Sequence, residues 1–161
     1  MKSAKRDQQS QPRPCNTMPS TRRENEGERV TYRVVVEGLK LPTMNRVLRW
    51  LWKQRKAEVD RVRKLVVDAA MYGHGLTNPT PLSKASVVIR AHGPYSRTDG
   101  DAVYAKDLID SIVARPLIAY GRNVGRRWGL VLNDDRKTVG KVDFDDVPAE
   151  TYKVTIEVSA C

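Results

Sequence analysis

The sequence predicts an α+β fold, a small single domain with a mixed β-sheet packed by helices, and three observations carry that prediction. β-branched runs at the start, middle and end of the chain, VTYRVVV, ASVVIRA and TYKVTIEV, read as strands. Between them lie stretches whose apolar residues recur at helical three-and-four spacing. The chain has 161 residues, the size of one domain with one core, and shows no internal repeat. The resulting order β-α-β-α-β-β suits helices covering a mixed sheet.

Residues 1–28 are rich in Gln, Pro, Ser, Arg and Glu and have almost nothing to bury, so they are expected to form a disordered leader. The folded domain is expected over residues 29–161. Its first strand runs from Val30 to Val36 and ends at Gly38. Thr43 then suits the N-cap of one long helix reaching about Tyr72, with Gly73 and Gly75 as stops. Met44, Leu48, Leu51, Val59, Val62, Val66 and Ala69 should form its buried stripe, interrupted by Arg55. Arg46, Arg49, Lys53, Lys56 and Arg63 follow the same spacing on another side, with Glu58 and Asp60 as nearby exceptions. That side reads equally as a solvated charged face and as a phosphate-contacting one. Trp50 and Trp52 fall on different faces, for core packing or a dimer contact.

LTNPTPLSK reads as a loop and ASVVIRAHG as the second strand. A second helix is expected from about Asp101 to Ala114, ended by Pro116, with Val103, Ile109, Ile112 and Val113 on its apolar face. AYGRNVGRRWG reads as a Gly- and Arg-rich loop, in which Arg126, Arg127 and Trp128 are candidates for contacting DNA. Asp143, Asp145 and Asp146 look like loop or strand-edge charges before the last strand.

The formal net charge is +10 and the pI about 9.9, which favours a polyanionic partner, nucleic acid first and an anionic membrane surface second. No apolar run is long enough to cross a bilayer and the N-terminus lacks the apolar stretch of a signal peptide, so a soluble, cytoplasmic protein is expected. Cys15 and Cys161 belong to no ligand-spaced set, which argues against a disulfide framework. His74 and His92 stand alone and receive no role.

Against this basic background the stretch SRTDGDAVYAKDLIDSI gathers acids. In an extended segment Asp99 and Asp101 project to the same side, with Gly100 allowing close backbone approach. Hard cations take such oxygen clusters, and Asp134 or Asp135 would add a third carboxylate if the fold brings the loops together. Lys106 and Asp110 would share a helix face, where Lys106 neutralises charge on a phosphate. In a basic chain this combination suits Mg²⁺-dependent phosphodiester hydrolysis, with Mn²⁺ as the other candidate ion. The plainer reading is an N-cap, a turn and a surface ion pair.

Taken in order, these residues resemble the RusA family of Holliday junction resolvases of bacteria and phages. The resemblance lies in the early strand followed by LPTMN (Pro42 to Asn45), the basic helical region, the DGD of Asp99 to Asp101, Lys106 with Asp110 beyond it, and the NDD of Asn133 to Asp135. It covers about residues 30–158. Ala102 stands where the family usually has asparagine, Lys106 lies one residue further from Asp101 than expected, and Gly121 to Gly129 reads as an insertion. The resemblance implies a homodimer with an acidic Mg²⁺ site in each subunit, resolving four-way DNA junctions by paired symmetric nicks in recombination and repair. It implies Asp99, Asp101 and Asp135 as metal ligands, Asp134 as the alternative, Lys106 as the phosphate-stabilising catalytic residue and water as the nucleophile. The competing expectation is a non-catalytic, structure-selective nucleic-acid-binding protein. A third is an assembly protein whose charge serves solubility.

Overall fold

The computed structural model describes residues 30–95 and 104–161; the leader, Asp99, Asp101 and Ala102 lie outside the described residues. The β-branched runs join a fourth strand in one sheet: β1 (Val30–Glu37), β2 (Ala85–Gly93), β5 (Val139–Pro148) and β6 (Lys153–Ala160), in the order β1-β6-β2-β5. β6 pairs antiparallel with both β1 and β2, whereas β2 and β5 run parallel, so the sheet is mixed as expected. Register places Val34 and Ile89 on either side of Ile156, and all three are fully buried on the helix-covered face.

The sheet's other face carries charge. Arg90 bridges Glu157 at 2.7 Å and Asp145 at 3.8 Å, and Arg33 reaches Glu157 at 3.5 Å, linking all four strands. Asp143, Asp145 and Asp146 lie on β5, an edge strand, where charge discourages pairing with another chain.

The expected long helix is broken. It forms a short α1 (Met44–Leu48) and a longer α2 (Trp52–Asp68), continued by a π-helical turn over Ala69–Gly73. Leu51 is extended between them, and its N–H is taken by the Gln54 side chain, which reaches back from the first turn of α2. Consequently the predicted stripe holds only in part: Val62 and Val66 are buried, but Leu48 and Leu51 are 75% and 73% exposed and Met44 is exposed too. Residues 51–57 are all exposed, so no buried apolar side chain holds the start of α2 in phase with α1, where Val47 is the buried residue. Tertiary contact, not periodicity, keeps a helix continuous here.

The second helix is also shorter than expected among the described residues. α3 spans Lys106–Ile112 and packs on α2, with Leu108 and Ile112 joining Val62 and Val66 in the core. Val113 leaves the helical conformation to bridge Val131, so Pro116 falls in a strand and does not end the helix.

The Gly- and Arg-rich stretch read as a loop is a β-hairpin, β3 (Arg115–Ala119) with β4 (Arg122–Trp128). Trp128 does not face solvent. It is 1% exposed, and its indole N–H donates to the Leu76 carbonyl at 2.8 Å, so it anchors the hairpin in the core. Among the described residues no helix is long and apolar enough to cross a membrane.

Candidate acidic site and basic surface

The chain following β4 crosses the end of α3. Leu130 and Val131 donate to the Ile112 carbonyl at 2.7 and 3.2 Å, and Ala114 donates to Val131 at 2.8 Å. Gly129 permits this crossing. A β-carbon there would meet the backbone of Val113 and Ala114, atoms that cannot rotate away.

The crossing delivers Asn133, Asp134 and Asp135 to α3, but the two aspartates take different places. Asp135 bonds locally: its Oδ1 accepts from the Lys137 and Thr138 N–H groups at 3.0 and 2.8 Å, and its Oδ2 from Asn133 at 3.0 Å. The Thr138 backbone bond is the main cause of a pKa held below the ordinary carboxylate range. Asp134 instead stands beside Asp110, one helical turn beyond Lys106 on α3. Burial pushes the Asp110 carboxyl up; Lys106 pulls it down, and the charge and shared hydrogen bond of Asp134 push it up again, with Arg115 also nearby. The structure therefore puts Asp134 within electrostatic reach of Asp110, with Lys106 one helical turn away on α3 and Asp135 supporting the turn that presents Asp134. The helical spacing of Lys106 and Asp110 had put both on one face; nothing in the sequence distinguished Asp134 from Asp135.

Asp107 is the surprise of α3. It is 2% exposed, and among the described residues neither carboxylate oxygen has a hydrogen-bond partner. Burial pushes its pKa up, the Arg55 charge opposes this, Asp110 and Glu58 push it further up, and Lys106 pulls it down. A carboxyl that binds its proton more tightly when folded loses stability as pH rises from its ordinary value through the raised one. Asp107→Asn is thus expected to raise the Tm at pH 7, with the gain shrinking as the pH falls through the raised folded pKa and vanishing by about pH 4. Thermal melts across that range check it, and equal Tm values at pH 7 would contradict the unpaired charge.

Asp99 and Asp101 lie outside the described residues, but both flanks of their segment are tied to one turn. The Tyr95 hydroxyl accepts from the Leu41 N–H at 3.2 Å, and the Tyr104 N–H donates to the Pro42 carbonyl at 2.8 Å. Leu41 and Pro42 open the LPTMN segment, and Arg55 stacks on and bonds to Tyr104. Arg55, which interrupted the apolar stripe, thereby links α2 to the start of α3.

The basic side of the helical region divides. Arg46, Arg49, Lys53 and Lys56 are exposed, with Arg46 lying 5.7 Å from the Trp50 ring and Lys56 5.5 Å from the Trp52 ring. Arg63 is not part of that surface. It is half-buried, and its guanidinium donates to the carbonyls of Ser111 at 2.8 Å and Val113 at 3.2 Å, and at longer range to those of Arg115 and Trp128. It satisfies the C-terminal carbonyls of α3 and fixes the root of the hairpin. Arg126 and Arg127 are exposed on β4, although Arg127 also donates to the Ala114 carbonyl at 2.8 Å. His74 accepts from the Val35 N–H at 3.0 Å, a structural contact.

Among the described residues no three His, Cys, Asp or Glu side chains converge as a metal-binding group. The Asp110 and Asp134 pair nevertheless fits a hard divalent cation in kind, since its donors are carboxylate oxygens; the buried oxygens of Asp107 do not converge with that pair. No protein-family model matches the chain, and no curated protein matches it.

Proposed function

We propose that this protein is a Mg²⁺-dependent endonuclease of the RusA type that acts as a homodimer and resolves four-way DNA junctions by paired symmetric nicks. The observation that carries the proposal is the meeting of Asp110, Asp134 and Lys106 on a chain of net charge +10. Carboxylates placed together beside a lysine are costly in a DNA-binding surface unless a cation joins them. Asp99, Asp101, Asp134 and Asp110, with Asp135 holding the turn that presents Asp134, are the residues that would hold Mg²⁺. When bound, the ion supplies Lewis-acid polarisation of the phosphoryl oxygen. Lys106 stabilises charge on the phosphate, and Arg46, Arg49, Lys53 and Lys56 hold the flanking backbone. Water is the nucleophile, so no covalent enzyme intermediate forms. A two-fold dimer matches the near two-fold symmetry of the substrate.

A second reading, a non-catalytic structure-selective nucleic-acid-binding protein, is favoured by one observation: Asp135, the acid implied as a ligand by resemblance, spends its oxygens on its own turn. A labelled four-way junction and a matched linear duplex, each incubated with Mg²⁺ or EDTA, separate the two, with Asp101→Asn as control. The proposal expects paired nicks in the junction only, with metal and wild-type protein only. Salt-sensitive junction binding without nicks would establish the second reading, and absence of any binding would refute both.

A further inference from the structure

The hairpin that interrupts the resemblance is built unlike a solvated insertion. From Arg115 to Trp128 it carries Arg115, Arg122, Arg126 and Arg127 and no acidic residue. Its root is held firmly: Trp128 is buried, Arg63 bonds to the backbone of both strands, and Arg127 ties β4 to Ala114. Its far end is bare. Ala119 pairs with Arg122, leaving Tyr120 and Gly121 as a two-residue turn with φ of 51° and 74°.

Two positive φ values are the requirement of a type I′ turn, whose first position favours Asn, Asp or Gly. Tyrosine there is strained, and this one is fully exposed, with Ile118 at 63% exposure behind it. A fold seeking only a tight turn gains nothing from an aromatic ring in that place. A two-stranded ribbon is the right width to enter a DNA groove, arginines without acids suit the flanking phosphates, and an apolar or aromatic tip can wedge between bases. Five residues of strand place the tip about 16 Å beyond Arg115, which follows α3 by three residues.

We infer that the β3–β4 hairpin is a DNA-probing ribbon, which enters the duplex at a branch point with Tyr120 as the leading side chain and Arg122 and Arg126 on the adjoining phosphates. The inference rests on the nucleic-acid partner of the proposed function but not on cleavage. Ile118 and Tyr120 also border a groove between α2 and β3, of about 710 Å³, where Asp60 and Asp68 accompany Arg63 and Lys64; those acids disfavour a polyanion inside the groove, so the DNA contact falls to the tip.

The test uses a four-way junction carrying 2-aminopurine at the branch point, in EDTA so that no nicking intervenes. Tyr120→Asn removes the ring while supplying a residue the turn prefers, so folding is preserved. Wild-type binding should raise the fluorescence as the base unstacks; Tyr120→Asn should abolish the rise and weaken junction binding about tenfold. Arg122→Ala with Arg126→Ala should lower the salt slope of binding by about two. An absent rise with the wild type, or an undiminished one with Tyr120→Asn, overturns the ribbon and leaves the endonuclease reading standing. Failure of the wild-type protein to bind any nucleic acid overturns both.

Discussion

Asp110→Asn is expected to lower junction nicking by about 10²- to 10³-fold while junction binding stays the same or tightens. Asparagine keeps the shape of the side chain and one carbonyl oxygen, but it removes the charge that a hard cation requires. It also relieves the repulsion from Asp134 that, with burial, holds the Asp110 pKa up, so the folded protein should gain stability. Loss of activity with a Tm equal to or above that of the wild type therefore cannot arise from unfolding. Asp134→Asn should behave alike. Because Asp135 sits in the turn, Asp135→Asn should cost stability, with a cleavage defect that follows from a displaced Asp134. Nicking assays and melts on the three variants check the order, and wild-type nicking by Asp110→Asn would remove that residue from the site.

Gly129→Ala is the substitution expected to damage the fold most. One methyl group would have to occupy the position of the Ala114 backbone, and neither side can yield by changing a rotamer. The loop from Leu130 to Asp135 must then lift from α3, breaking its bonds to Ile112 and drawing Asp134 away from Asp110. A cost of about 3 kcal/mol or more is expected, a large share of the roughly 5–15 kcal/mol that holds a domain folded. Urea titration measures it. A wild-type midpoint in Gly129→Ala would contradict the close crossing on which the site depends.

β1, β2 and β6 were legible because their β-branched runs are long and set apart by loops; the register that brings Val34 and Ile89 to either side of Ile156 was not. The break at Leu51 was not, because periodicity continues across it and only the lack of buried apolar side chains over residues 51–57 reveals it. The hairpin was hidden by composition. Glycine and arginine suggest a loop, whereas Gly121 and Gly125 supply the positive φ values that let the strands pair. Trp128 was misjudged for the same reason, although the apolar Leu130 and Val131 just beyond it already belonged to the core. For the acids, order along the chain marked two segments, of which the one after β4 is described and reaches α3. Which carboxylate faces α3 depends on how the Asn133 to Thr138 turn bonds to itself, and adjacent aspartates look alike until that turn is seen.

The central claim is that these acids exist to hold a divalent cation, and cation binding tests it without any assumption about substrate. Mn²⁺ titration followed by electron paramagnetic resonance, on the wild-type protein and on Asp110→Asn combined with Asp134→Asn, reads the free ion directly. One Mn²⁺ site per chain in the wild type, displaced by Mg²⁺ and lost in the double variant, is the result expected. Equal Mn²⁺ binding by both proteins, or none by the wild type, would contradict the claim.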